Sequence, residues 1–151
     1  MRDHNQHTNS GLGPAQVPTL DMLSIVQHNC WGSWNVFLSL FNSLKAVTSP
    51  PSFVLLQDPP ICRNHLPSFS GFKAFAPEIH NNVAPKVVCY VCYGFLQTSS
   101  ILPLFLESPG RMALDMDSPS ELFDSNHGVL RINNGYSTNG SSSNIRTVAP
   151  E

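Results

Sequence analysis

Three observations predict an α/β fold built on a mixed, mostly antiparallel sheet. A short apolar run, Leu23 to Val26, closes in Gln27-His28-Asn29, and a second, Phe53 to Leu56, closes in Gln57-Asp58. Between them lies one helix-sized segment, Trp34 to Val47. A strand, a helix and a second strand bring both C-terminal strand ends to one sheet edge, where open α/β sheets bind ligands. Beyond residue 70, short apolar runs follow one another without a helix-sized spacer, as antiparallel neighbours do. Thirteen prolines and nine glycines also favour short strands and turns over long helices.

The elements follow in order. Residues 1–20 are rich in Asn, Gln, His, Gly and Pro and read as a disordered tail, leaving one domain over 21–151. Leu23 to Gln27 is the first strand. Ser33 is placed to cap a helix. Trp34, Phe37, Leu38, Phe41 and Leu44 recur at helical spacing and give it one buried face. Thr48-Ser-Pro-Pro51 ends the helix, because neither proline can continue it. Phe53 to Leu56 has no polar interruption, which suits a strand covered on both faces. Phe69, Phe72 and Phe75 around Gly71 read as a loop entering a short strand.

Lys86 to Phe95 is rich in Val, Cys and Tyr and reads as a strand. Gln97 to Gly110 reads as irregular, with Leu102, Leu104 and Leu106 alternating around Pro103. Arg111 to Asp117 sets Met112, Leu114 and Met116 against Ala113, Asp115 and Asp117, the pattern of a half-exposed strand. Asp117 to Gly128 is a polar connection. Val129 to Tyr136 is the last clear strand, and Ser137 to Asn144 has flexible-loop chemistry. The count is one or two helices and about six strands.

With 151 residues the chain can bury a real core. Hydrophobic residues make up 41% and charged residues only 12%, so either the core is dense or the surface expects a partner. The net charge is −2 and the pI near 6.3, without the basic footprint of an autonomous nucleic-acid binder. The apolar runs are too short to cross a membrane, and residues 1–18 lack the apolar stretch of a secretory signal. A nuclear or cytoplasmic location is expected rather than secretion. There are four cysteines, at 30, 62, 89 and 92. Cys89 and Cys92 form C-x-x-C, but residues three apart on a strand point to opposite faces and chelate poorly together. Buried, inert thiols are the better reading. P-loop, G-x-G-x-x-G, nucleophile-elbow and H-E-x-x-H patterns do not occur.

Four segments, in this order and spacing, carry a family resemblance: Gln27-His-Asn-Cys, Leu56-Gln-Asp-Pro-Pro60, Ser108-Pro-Gly-Arg-Met-Ala-Leu-Asp-Met116 and Arg131-Ile-Asn-Asn-Gly-Tyr136. From Leu23 to Glu151 the chain resembles the N-terminal half of the endonuclease/exonuclease/phosphatase (AP-endonuclease-like) domain of fungal non-LTR, LINE-like retrotransposons. The resemblance implies half of a layered α/β sandwich, with DNA as partner and Mg²⁺ or Mn²⁺ as cofactor. The activity it implies is metal-dependent phosphodiester hydrolysis, nicking DNA to prime reverse transcription.

The resemblance puts three residues in the site. Asp58 stands where the family has a metal-binding Glu. Being one methylene shorter, it leaves direct and water-bridged contact both open. Its plain alternative is to start the turn before Pro59-Pro60. Asn29 would hold the metal's water shell or a phosphate oxygen, and is otherwise a turn residue bonded to nearby backbone. Tyr136 would donate to an oxyanion developing on the phosphate, and is otherwise a rim tyrosine. Gln27 and Gln57 are expected to satisfy backbone groups, and His28, on the opposite face from both neighbours, to be packed or exposed rather than a base. Arg111 and Asp115 read as surface positions.

The family's later Asp-x-Asn segment and Asp-His pair have no counterpart after Tyr136. Hydrolysis needs a base and positioning groups that Asn29, Asp58 and Tyr136 cannot supply alone. A truncated, inactive domain is therefore expected. A half fold would leave a sheet edge and an apolar face uncovered, so self-association or a protein partner is also expected. The alternative is a small non-catalytic binding or scaffold protein that docks a partner through that face. A reading frame continuing past Glu151 is a third possibility.

Overall fold

The computed structural model describes residues 23–78, 82–105, 108–117, 129–137 and 140–148. The predicted tail (1–20) and most of the polar connection (118–128) lie outside them. The chain is mixed α/β, mostly strand, with two four-stranded sheets where one was expected. It begins with β1 (Ile25–Asn29), α1 (Trp34–Lys45) and β2 (Phe53–Gln57). These are followed by β3 (Phe72–Phe75), β4 (Val87–Cys92) and the short α2 (Tyr93–Leu96). The second half is β5 (Ile101–Phe105), β6 (Arg111–Asp117), β7 (Val129–Ser137) and β8 (Gly140–Val148).

The first sheet has the order β1-β2-β4-β3. β1 runs parallel to β2, with Ile25 opposite Phe53 and Asn29 opposite Gln57. Its other pairings, β2 with β4 and β4 with β3, are antiparallel. The second sheet, β5-β6-β7-β8, is antiparallel throughout. Among the described residues the one parallel pair is the one joined through a helix, as a parallel connection requires.

All five residues of β2 are buried. Its pleat divides them between two faces. Val54 and Leu56 pack with Phe37 and Phe41 of α1, together with Val88 and Tyr90. Phe53 and Leu55 pack with Val87, Cys89 and Val91, and with Met112, Leu114, Met116, Leu130 and Ile132 of the second sheet. Thus α1 covers one face of the first sheet and the second sheet shares a core with the other. Rings knit the helix side together: Phe41 lies 4.3 Å from Phe69 and 5.0 Å from Tyr90, centroid to centroid. The Tyr90 hydroxyl donates to the Pro67 carbonyl at 2.5 Å.

Ser33 caps α1 as its position suggests, its Oγ accepting from the Val36 N–H at 3.3 Å. The helix ends at Lys45, two residues short of the predicted Val47. β1 is shifted two residues from Leu23–Gln27, so Asn29, not Gln27, ends it. The predicted Lys86–Phe95 strand is Val87–Cys92, with α2 taking Tyr93 onward. Two segments read as irregular are strands. Pro103 sits in β5, which ends the sheet, where a missing N–H costs no ladder bond. The Ser/Asn/Gly stretch after Tyr136 pairs with β7 over nine residues as β8. On β6 the alternation of exposure is incomplete, because Ala113 is buried along with the methionines. Cys89 and Cys92 fall in the two separate clusters, on opposite faces of β4, and all four cysteines are free thiols. No described helix is long and apolar enough to cross a membrane.

Candidate functional site at the strand ends

The parallel register sets the ends of β1 and β2 side by side. The turn leaving β1 is then tied to β2: Cys30 N–H donates to Gln57 O and Gly32 N–H to Asp58 O, each at 2.8 Å. Trp31 and Gly32 both take left-handed backbone, with φ 48 and 66°. For a residue as bulky as tryptophan that conformation is strained. The Asn29 side chain holds it, Oδ1 accepting from the Trp31 N–H at 2.9 Å. Asn29 thus fills the local turn role left open for it, and leaves Trp31 70% exposed at the rim.

Asp58 also has positive φ, at 46°. Its N–H donates to the Lys86 carbonyl at 2.8 Å, and its Oδ1 accepts from Lys86 Nζ at 2.9 Å. The same ammonium lies 5.9 Å from the centre of the Tyr136 ring. Lys86 therefore joins two of the three predicted site residues. The turn before β6 closes the group, for Lys86 N–H donates to Pro109 O at 2.7 Å and Tyr136 N–H to Gly110 O at 2.8 Å. A Cβ on Gly110 would lie 2.9 Å from the Tyr136 carbonyl oxygen, which only glycine allows.

Behind this rim lies a buried polar junction between the sheets. Gln57 is fully buried and its Nε2 donates to Asn134 Oδ1 at 2.7 Å. Asn134 Nδ2 in turn donates to the carbonyls of Leu56 and Val88, both at 3.1 Å. It is thus Asn134 that satisfies backbone; the bond made by Gln57 is to a side chain. Gln57 Oε1 is buried without a hydrogen-bond partner.

Burial dominates the electrostatics. It raises the Cys30 thiol to about 11, with the negative charge of Asp58 adding to the shift. It raises Cys89 to about 12, against a lowering by the Asn134 amide. Both thiols stay protonated and unreactive at neutral pH. His28 is half-buried with its ring edge-on to Trp31, 6.3 Å between centroids. Arg111 is exposed, whereas Asp115 is largely covered in a two-pronged pair with Arg131 at 2.6 and 2.7 Å.

Among the described residues, no group of three or more His, Cys, Asp or Glu is arranged to hold a metal ion. Asp58 is taken by an ammonium and the Asn29 carbonyl oxygen by a backbone N–H. As arranged, these donors do not fit the octahedral oxygen shell that Mg²⁺ demands.

Sequence reasoning missed Lys86 and Asn134. Asn134 carried a signal, since it continues the parity of Leu130 and Ile132 and so had to face the core. Lys86 carried a weaker one, being a cation at the mouth of an otherwise apolar strand. No family model, curated protein or solved structure matches the chain.

Proposed function

We propose that the chain is an endonuclease/exonuclease/phosphatase-like domain of the LINE-like retrotransposon kind that does not hydrolyse phosphodiesters. The order strand, helix, strand with amide and carboxylate at the strand ends supports the family reading. So does a layered arrangement of helix, sheet and sheet, as in half of such a sandwich. Tyr136 arriving at the same edge as Asp58 adds to it. DNA is the ligand class this reading implies.

The observation that carries the loss of activity is the 2.9 Å contact between Lys86 Nζ and Asp58 Oδ1. Hydrolysis needs a base for the attacking water and uncommitted charge at the phosphate. Here the carboxylate is paired with a lysine of its own chain, and the neighbouring amide is spent on a turn. A supercoiled-plasmid assay with Mg²⁺ or Mn²⁺, run beside Asp58→Ala, tests this. Neither protein is expected to nick. Metal-dependent nicking that Asp58→Ala abolishes would overturn the proposal.

One observation favours a second reading, association with a partner chain. β5 ends the second sheet and exposes Leu102 (60%) and Phe105 (44%). The outer face of that sheet is more polar, carrying the Asp115–Arg131 pair. An edge, rather than an apolar face, is the docking element on this reading. Light scattering of wild type beside Leu102→Lys distinguishes them: a concentration-dependent oligomer dispersed by the lysine supports the edge, and a monomer at high concentration removes it.

A further inference from the structure

A cavity of about 350 Å³ opens where the end of α1, the turn before β3 and the junction of β4 with α2 meet. It lies at the opposite end of the first sheet from Asp58: the Cys92 N–H donates to Ser52 O at 3.0 Å, beside the start of β2, whereas Asp58 follows its end. The proposed function therefore makes no use of it. Phe69, Phe72 and Tyr93 give it aromatic walls, and Cys92 and Gly94 complete one side. Lys45 is the only charged side chain among the lining residues. Its Nζ stands 4.8 Å from the centre of the Phe69 ring, at the cavity wall. From the last turn of α1 the same ammonium offsets the partial negative charge of the helix end.

We propose that this cavity binds a small aromatic acid, its ring among Phe69, Phe72 and Tyr93 and its anionic group on Lys45. The volume suits a body of two or three fused or linked rings. Aromatic walls favour offset or edge-on stacking with such a body. A lone ammonium with no acidic residue among the described lining residues selects a negative group over a positive one, and a charge-assisted bond there adds affinity that a neutral analogue lacks.

Two dyes with the same aromatic body separate these contributions. 8-Anilinonaphthalene-1-sulfonate carries the anionic group, and N-phenyl-1-naphthylamine lacks it. Wild type is expected to bind one sulfonate dye per chain. Lys45→Gln is expected to weaken that dye about tenfold, in keeping with the loss of one charge-assisted bond, and to leave the neutral dye unchanged. Gly94→Phe should block both. A Cβ at Gly94 meets only Cys92 Sγ at 3.9 Å, so the added ring has room to enter the cavity without disturbing the backbone. Unchanged circular dichroism and an unchanged urea midpoint in Gly94→Phe control for folding. Equal sulfonate affinity in wild type and Lys45→Gln would overturn the proposal. So would binding that survives Gly94→Phe, multiple dyes per chain, or none.

Discussion

Gln57 and Asp58 are neighbours at the end of one strand, yet they belong to opposite regimes. Gln57 turns inward, fully buried, into a junction that reaches Asn134 on the other sheet. Asp58 turns outward to the rim and meets Lys86, whose side chain is 47% exposed. Both contacts are polar and both join segments far apart in sequence. In the interior, water cannot replace a lost partner, so removing one side leaves the other unsatisfied at a cost of about 1–3 kcal/mol per group. At the rim water takes over, and an exposed ion pair contributes only about 0.2–1 kcal/mol. One peptide bond therefore separates a contact that holds the fold from one that tunes the surface.

The comparison can be broken at four points, from the largest effect to the smallest. Asn134→Leu strands Gln57 Nε2 beside its already unpartnered Oε1 and takes a second hydrogen bond from the Leu56 and Val88 carbonyls, which keep their ladder bonds. It should destabilise the protein by about 2–3 kcal/mol in urea unfolding. Gln57→Met deprives Asn134 Oδ1 of its donor but also removes the unpartnered Oε1. Its cost should be about 1 kcal/mol, well below that of Asn134→Leu. If the two cost the same, the junction is not anchored by Asn134. Lys86→Ala should change unfolding by less than about 1 kcal/mol, and a double-mutant cycle with Asp58→Asn should return a coupling within that range.

The fourth point concerns the buried thiols and has no effect at neutral pH. Cys30 and Cys89 ionise at 9.0 when unperturbed but at about 11 and about 12 in the folded chain. Folding thus favours the protonated form. Stability is complete below pH 9 and declines as the pH rises from there through 11 to 12, because only the unfolded chain then releases the protons. Unfolding at a series of pH values reads this directly, and Cys89→Ala should flatten the decline, whatever it costs at pH 7.

Much of the first sheet was legible in the sequence, for physical reasons. The run Phe53 to Leu56 had to be covered on both faces, and it is. Ser33 starts α1, because a cap acts through its immediate neighbours, whereas the helix already ends at Lys45, before the prolines at 50 and 51 can act on it. What depends on distant partners was not legible. β8 is Ser, Asn and Gly over much of its length, and its strand geometry comes from the ladder that β7 offers, not from its own preferences. Gln57 and Asn134 meet across 77 residues. Lys86 reaches Asp58 only because β4 runs back along β2, a pairing that local pattern does not reveal. Of the three predicted site residues, the strand-end positions were readable; that a lysine would stand between Asp58 and Tyr136 was not.

The turn at Ser108–Gly110 has one more consequence. It receives an N–H from Lys86, at the start of the first sheet's β4, and another, from Tyr136, at the end of the second sheet's β7. A single turn thus clasps both sheets at the same end, with glycine required where the backbones nearly touch. Neither sheet can fray there without releasing the other. The amide protons of Lys86 and Tyr136 should exchange with solvent at matching opening free energies, as members of one cooperative unit. Gly110→Ala should speed both together while leaving the amides of α1 as they were.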